Sequence, residues 1–305
     1  MNRWVIGARI RTLPAAVVPV ALGSAVAVDL PRGVGWWDGE GMVVASASLG
    51  PVWWRVALAT IVSLALQVAV NYANDYSDGV KGIDDIRVGP TRLVASGLAS
   101  PRAVKLAAYA AFGIAGVAGF ALAAVTSWWL LVVGAVSMLA GWAYTGGPKP
   151  YGYLGLGEVF VFVFFGLVAT VGTTYVAVET VNWQSIVAGC IAGTLACALL
   201  VINNLRDIPT DREVGKRTLA VRIGDRATRL VFVALLAGSL VGIIALATWR
   251  SLSLIGLMAL PLAVAPVRAV LGGATGAALI PVLGATGKVQ LAAGVLTAVG
   301  LALGA

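Results

Sequence analysis

Apolar residues in this 305-residue chain gather into long, almost unbroken runs separated by short polar segments. The runs fall near 13–30, 53–76, 103–124, 127–144, 157–177, 183–204, 228–248, 251–270 and 286–304. A helix needs about 20 apolar residues to cross a bilayer, and each run is of that order. The two-residue alternation of a membrane barrel is absent. The pattern predicts an all-α integral membrane protein with nine transmembrane helices, forming one domain over residues 1–305. The Trp-flanked segment 31–52 and the Gly-rich segment 271–285 read as connections.

The polar segments give the spans a direction. With nine spans and a cytoplasmic N-terminus, Arg32, Arg55 and Arg250 fall outside and the other 18 of the 21 Lys and Arg fall inside. Cytoplasmic loops carry such an excess, so the C-terminus is expected outside. Trp36, Trp37, Trp53, Trp54, Trp128, Trp129, Trp183 and Trp249 then lie at the outer interface as an aromatic belt. Arg3, Arg9 and Arg11 before the first run, with Ala25-Val26-Ala27 inside it, mimic a signal peptide. The many later spans make it a retained first helix instead.

Composition narrows the chemistry. Hydrophobic residues make up 60% of the chain and charged residues 11%, and mean hydropathy is +0.95. The net charge of +8 suits membrane orientation and anionic lipid, with some cations left for a phosphorylated substrate, rather than nucleic acid. The absence of histidine removes imidazole acid–base chemistry, His–metal sites and His-ligated haem. Cys190 and Cys197 share one apolar run, seven positions apart, and read as core residues that do not bridge. Small residues such as "GIAGVAG" at 113–119 read as close helix packing.

Two polar patches break the apolar pattern at helix ends. In "QVAVNYANDYSDGVKGIDD", Gln67, Asn71, Asn74/Asp75 and Asp78 recur at helical spacing, with Asp84 and Asp85 following. In "NNLRDIPTDREVGKRTLAVRIGD", Asn203, Asp207 and Asp211 do the same, with Pro209 expected to bend or end the helix. "VGPTRLVASG" follows the first patch and "VGKRTLAVRIG" the second. The echo suggests a duplicated unit, spans one to four repeated as spans five to eight, with span nine added.

Carboxylates and amide oxygens without His or Cys suit a hard cation, Mg²⁺ above all, which uses one or two carboxylates together with substrate phosphates. Lys81, Arg92, Arg206, Lys216 and Arg217 can neutralise the remaining charge. A diphosphate beside an apolar cavity implies a lipid diphosphate whose allylic C–O bond ionises away from water. A coupling-ion site of a secondary transporter is the alternative from another class, although such sites lie near the bilayer midplane.

The paired patches resemble the aspartate-rich motifs of the UbiA superfamily of intramembrane prenyltransferases. That resemblance covers essentially the whole chain. It implies nine helices around a central cavity, with the acids at its cytoplasmic mouth, in the bacterial inner membrane. "RIRTLPAAVVPVALGSA" from Arg9, "NDYSDGVKGIDD" and "YTGGPKPYGYLGLGEVFVFVFFG" from Tyr144 are similar to its menaquinone branch. Ile10 stands where that branch's signature carries a proline. The resemblance implies Mg²⁺-dependent transfer from polyprenyl diphosphate to 1,4-dihydroxy-2-naphthoate, with loss of CO₂ and formation of demethylmenaquinol. A 4-hydroxybenzoate acceptor is the alternative within the superfamily. Carried onto this chain, it makes Asp75, Asp78, Asp84, Asp207 and Asp211 candidates for metal and diphosphate. Asn74, Asn203, Arg92, Lys149, Lys216, Arg11 and Tyr144 become candidates for substrate contact. Glu158 is a candidate base or a buried polar anchor, and Tyr151 and Tyr175 are weaker aromatic candidates.

Overall fold

The computed structural model describes residues 2–32, 50–83, 89 and 91–305. Among these residues no strand forms, and every one of the nine apolar runs is helical. The helices are α1 Arg3–Ala8, α2 Pro14–Val26, α3 Trp53–Val80, α4 Pro101–Val125, α5 Trp129–Ala143, α6 Gly157–Val161, α7 Ala169–Val178, α8 Trp183–Glu213, α9 Leu219–Leu246, α10 Leu260–Leu271 and α11 Leu279–Leu303. A π-helical turn, Phe162–Val168, joins α6 to α7 into one rod, and a 3₁₀ stretch, Ser251–Ala259, leads into α10.

Seven of these rods are long and apolar enough to cross a membrane. The chain is a multi-pass membrane protein. The remaining two runs differ in detail from the even set of nine expected. The first is a bent pair, Arg3–Thr12 and Pro14–Asp29, with a 51° angle between them. Arg9 stops α1 in the left-handed region at φ 52°, and Pro14 can only open the next helix. Ile10 begins the 3₁₀ turn between them. The fourth run, α5, has only 15 residues.

Local sequence explains the helix ends. Ser100 accepts the Ala103 N–H ahead of Pro101, and Asn182 with Ser185 forms a reciprocal capping pair on α8. Pro209 does not end α8, which runs on to Glu213. Proline there forfeits only the hydrogen bond to the carbonyl one turn back, close to a helix end that is already losing its partners. Gly215, at φ 74°, turns the chain just beyond.

Helix α8 forms the centre of the bundle. Its Ile191, Leu195 and Ile202 are fully buried, in one cluster with Leu22 of α2, Phe232 of α9 and Leu301 of α11. Lipid tails are as apolar as leucine, so close van der Waals packing holds these helices together. One close approach is glycine on glycine: a Cβ on Gly166 would lie 2.5 Å from the Gly193 Cα. The 113–119 stretch is looser, since nothing lies within 4 Å of a Cβ placed on Gly113. Cys197 is buried and Cys190 partly so, and both are free thiols.

Trp53, Trp54, Trp128, Trp129, Trp183 and Trp249 are all exposed, next to the starts of α3, α5 and α8 and the end of α9. Trp36 and Trp37 lie outside the described residues. At that same end Arg250 is buried, donating to the carbonyls of Ala25 at 3.0 Å, Val26 at 3.1 Å and Leu301 at 3.1 Å. It thereby satisfies the last carbonyls of α2 and α11 together.

Candidate active site

The C-terminal ends of α3 and α8, which carry the two polar patches, meet across the mouth of one cavity of about 1230 Å³. Lys216, just past α8, lies 3.3 Å from the Asp78 carboxylate of α3. The wall combines carboxylates and amides at this mouth with Val62, Leu66, Val70, Phe164 and Phe165 in the interior.

Helical geometry decides which patch residues face inward. Gln67, Asn71, Asn74 and Asp78 line the cavity, as do Asn203, Asp207 and Asp211. Each set advances by three or four residues and so stays on one helix face. Asp75, expected beside Asp78, is buried next to this face and is not among the lining residues. It is 0% exposed, and its two carboxylate oxygens accept the N–H groups of Leu93 at 2.9 Å and Val94 at 3.0 Å. It binds the segment that carries Arg92, and Arg92 does line the cavity. Asn74 takes the inward place, its Oδ1 accepting the Thr145 hydroxyl at 2.8 Å.

The inward acids are held by neighbours of opposite character. Asp78 accepts the Tyr153 hydroxyl and Lys216. Asp207 accepts Nε and Nη2 of the Arg206 guanidinium, at 2.6 and 2.8 Å, and the same Nη2 donates to Asn203 at 2.8 Å. Asp211 accepts Thr218 at 3.4 Å. Lys81 donates to the carbonyls of Thr145 at 2.8 Å and Gly147 at 3.3 Å. Burial lowers its pKa below the usual lysine value; Asp78 opposes that shift and the Lys216 charge adds to it.

Of the other expected residues, Lys216, Arg11 and Tyr144 line the cavity. Lys149 is exposed and is not part of the wall, and Glu158 stands behind it. Glu158 is 9% exposed and accepts Nδ2 of Asn204 at 2.9 Å, and Asn204 reaches the wall. This arrangement favours the anchor reading over the base. Asp84 lies outside the described residues. Tyr175 packs in a separate cluster with Ala59, Leu122 and Val176.

Several wall residues escaped the sequence reading. Thr12 accepts from Asn71 at 3.0 Å and Gln67 at 3.2 Å, making a polar band below the acids. Phe160 and Phe164 extend the expected Tyr144 and Tyr151 into a continuous aromatic wall. Successive ring centroids are 5.5, 3.9 and 5.9 Å apart. Tyr153 and Asn204 are the other two additions, and nothing in residue type separates them from packing residues.

The donor set fits Mg²⁺. Inward atoms are carboxylate and amide oxygens, and no three Asp, Glu, His or Cys side chains among the described residues gather into a metal cage. A hard ion that shares one or two carboxylates with phosphate oxygens needs no such cage.

Comparison with known proteins agrees with this geometry. Residues 40–274 match the UbiA prenyltransferase family. The chain is 46% identical over 305 residues to a 1,4-dihydroxy-2-naphthoate octaprenyltransferase of Mycobacterium tuberculosis, covering 99% of this chain and 97% of that one. It is 36% identical to the enzyme of the same name from Escherichia coli, covering 98% and 95%. The fold matches a UbiA homolog from Archaeoglobus fulgidus solved with DMAPP and Mg²⁺. The TM-score is 0.59 at 13% identity, with 98% of this chain and 99% of that one covered. A cavity with both acid patches at its mouth, and a family match across most of the sequence, place this chain in the UbiA prenyltransferase family as a membrane-embedded prenyltransferase.

Proposed function

We propose that the chain transfers a polyprenyl group from polyprenyl diphosphate to 1,4-dihydroxy-2-naphthoate, with Mg²⁺ as cofactor. The new bond joins the allylic carbon of the donor to the naphthol ring. Diphosphate departs with the electron pair of the broken C–O bond, and the acceptor carboxylate leaves as CO₂, giving demethylmenaquinol. The observation that carries this reading is the convergence of Asp78, Asp207 and Asp211 with Lys216 and Arg92 at the mouth of an otherwise apolar cavity. The names of the similar full-length enzymes support the acceptor.

Asn74, Asp78, Asn203, Asp207 and Asp211 would hold Mg²⁺ together with the donor diphosphate. The metal would supply charge withdrawal from the leaving group. Lys216, Arg92 and Arg11 neutralise the diphosphate oxygens. The Tyr144–Tyr151–Phe160–Phe164 wall lines the cavity and would stabilise positive charge on the allylic carbon and exclude water there. Glu158 fixes Asn204, so that the amide presents one orientation to the acceptor. Asp75 serves by holding the Arg92 segment. We also place nine spans in the bacterial inner membrane, N-terminus inside and C-terminus outside, with the site at the cytoplasmic face, a reading the loop charges support. Spans one to four and five to eight are read as a repeat within one domain, because α3 and α8 each end in a polar patch.

Membranes containing the chain, given labelled polyprenyl diphosphate with either 1,4-dihydroxy-2-naphthoate or 4-hydroxybenzoate, test the assignment. A labelled product from the naphthoate alone, lost with EDTA and in Asp207→Asn, is expected. Product from the benzoate alone would overturn the acceptor and keep the prenyl transfer.

A further inference from the structure

Tyr153 sits where three segments of the mouth meet. Its hydroxyl donates to one oxygen of Asp78, at the end of α3. Its ring lies beneath two ammonium groups, Lys216 at 4.6 Å and Lys81 at 5.0 Å from the centroid. Its backbone carbonyl accepts the Arg217 N–H at 2.9 Å, from the segment that follows α8. Lys216 meanwhile reaches the other oxygen of Asp78. One side chain therefore touches the acid of the first patch and the cation that follows the second.

Two like charges do not gather at a ring without compensation. The negative face of an aromatic ring attracts cations, and Asp78 supplies a full charge beside them. Lys81 is further held by the carbonyls of Thr145 and Gly147. Of the two lysines, Lys216 lines the cavity, its ammonium meeting the Tyr153 ring and the Asp78 carboxylate.

We propose that Tyr153 is a positioning residue with two separable duties: its hydroxyl orients the Asp78 carboxylate for the divalent ion, and its ring holds Lys216 for the donor diphosphate. The inference rests on the reading of the mouth as a metal–diphosphate site. The hydroxyl acts on metal affinity and the ring on anion affinity, so the two duties separate by substitution. Tyr153→Phe keeps the ring and removes the hydroxyl. Tyr153→Leu removes both.

The test uses the full chain in detergent or nanodiscs, with geranyl S-thiolodiphosphate as an unreactive donor. Mn²⁺ binding is read by electron paramagnetic resonance and analogue binding by equilibrium dialysis at saturating Mg²⁺; prenyl transfer is measured alongside. Losing a hydrogen bond to a charged group corresponds to about tenfold, so Tyr153→Phe should weaken Mn²⁺ about tenfold. Its analogue Kd at saturating metal should stay within about twofold, since the cation–ring contact survives. Tyr153→Leu should show the same metal defect and, in addition, an analogue Kd raised about fivefold. Equal effects of Phe and Leu on both constants, or no effect of either, would overturn the proposal. A wild-type chain that binds neither Mn²⁺ nor the analogue would refute the underlying reading of the site, and is distinguishable because it needs no variant. Unfolding temperatures of both variants identify a general folding defect, which would move both constants together and count against the proposal.

Discussion

Asp75→Asn separates the buried carboxylate of the first patch from the one that lines the cavity, Asp78. Asp75 is fully buried, and each of its oxygens accepts one backbone N–H, from Leu93 and Val94. Asparagine has a single acceptor oxygen. One N–H keeps a weaker, neutral partner, and the other faces an NH₂ group and loses its bond. A hydrogen bond to a charged group contributes about 1.5–3 kcal/mol, and a buried unpaired donor costs about 1–3 kcal/mol. The net loss is then about 3 kcal/mol. At roughly 2 °C per kcal/mol for a chain of this size, unfolding moves down by about 6 °C. The buried Cys197 thiol offers a convenient reporter, since a thiol-reactive dye labels it only on unfolding. Asp78→Asn, at a residue that faces the cavity, should lose Mn²⁺ binding whatever its own effect on unfolding. Asp75→Asn assayed below its unfolding temperature should retain Mn²⁺ affinity within about threefold. If Asp75→Asn unfolded with wild type and lost the metal as completely as Asp78→Asn, the assignment of Asp75 to the Arg92 segment would be wrong.

Asp207→Asn and Asp211→Asn should each lower prenyl transfer by about 100-fold or more, and EDTA should abolish it in wild type, because charge stabilisation on the leaving group disappears; a radiolabel assay in membranes reads this. Glu158→Gln keeps an acceptor for the Asn204 amide and should raise the KM for the naphthoate less than about threefold. Glu158→Ala leaves that amide group unpaired, at about 1–3 kcal/mol, and should raise the same KM about tenfold with donor KM unchanged. Gly193→Val places a Cβ 2.7 Å from the Phe162 ring, so the variant should unfold several degrees lower in the thiol-dye assay, by the 1–3 kcal/mol or so typical of overpacking.

The fold was readable because membrane spans announce themselves as runs. Every predicted run is helical, since hydrocarbon length is a constraint that composition alone expresses. The short α5 and the bend at Arg9 were not readable, because both depend on how neighbours cover a helix end. At the site, helical spacing groups Asp78, Asn203, Asp207 and Asp211 on faces that line the cavity. It left Asn74 and Asp75 tied, one position apart, and only the packing of Leu93 and Val94 separates them. Tyr153 carried no sequence signal beyond being aromatic, since its importance lies in contacts with residues 75 and 63 positions away. Pro209 misled for a local reason: proline restricts the turn before it, and here that turn was already near a helix end.

The buried Arg250 has a mechanical consequence. It ties the ends of α2 and α11 at a single point, so these two helices can part only as the arms of a drawing compass part, pivoting about the guanidinium. α11 has 25 residues, about 37 Å at the helical rise. An angular change of roughly 5° leaves the pivot unmoved and moves the far end of α11 by about 3 Å. Any widening between these helices is therefore graded, least at the tryptophan end and greatest where Arg11 and Ile280 border the cavity.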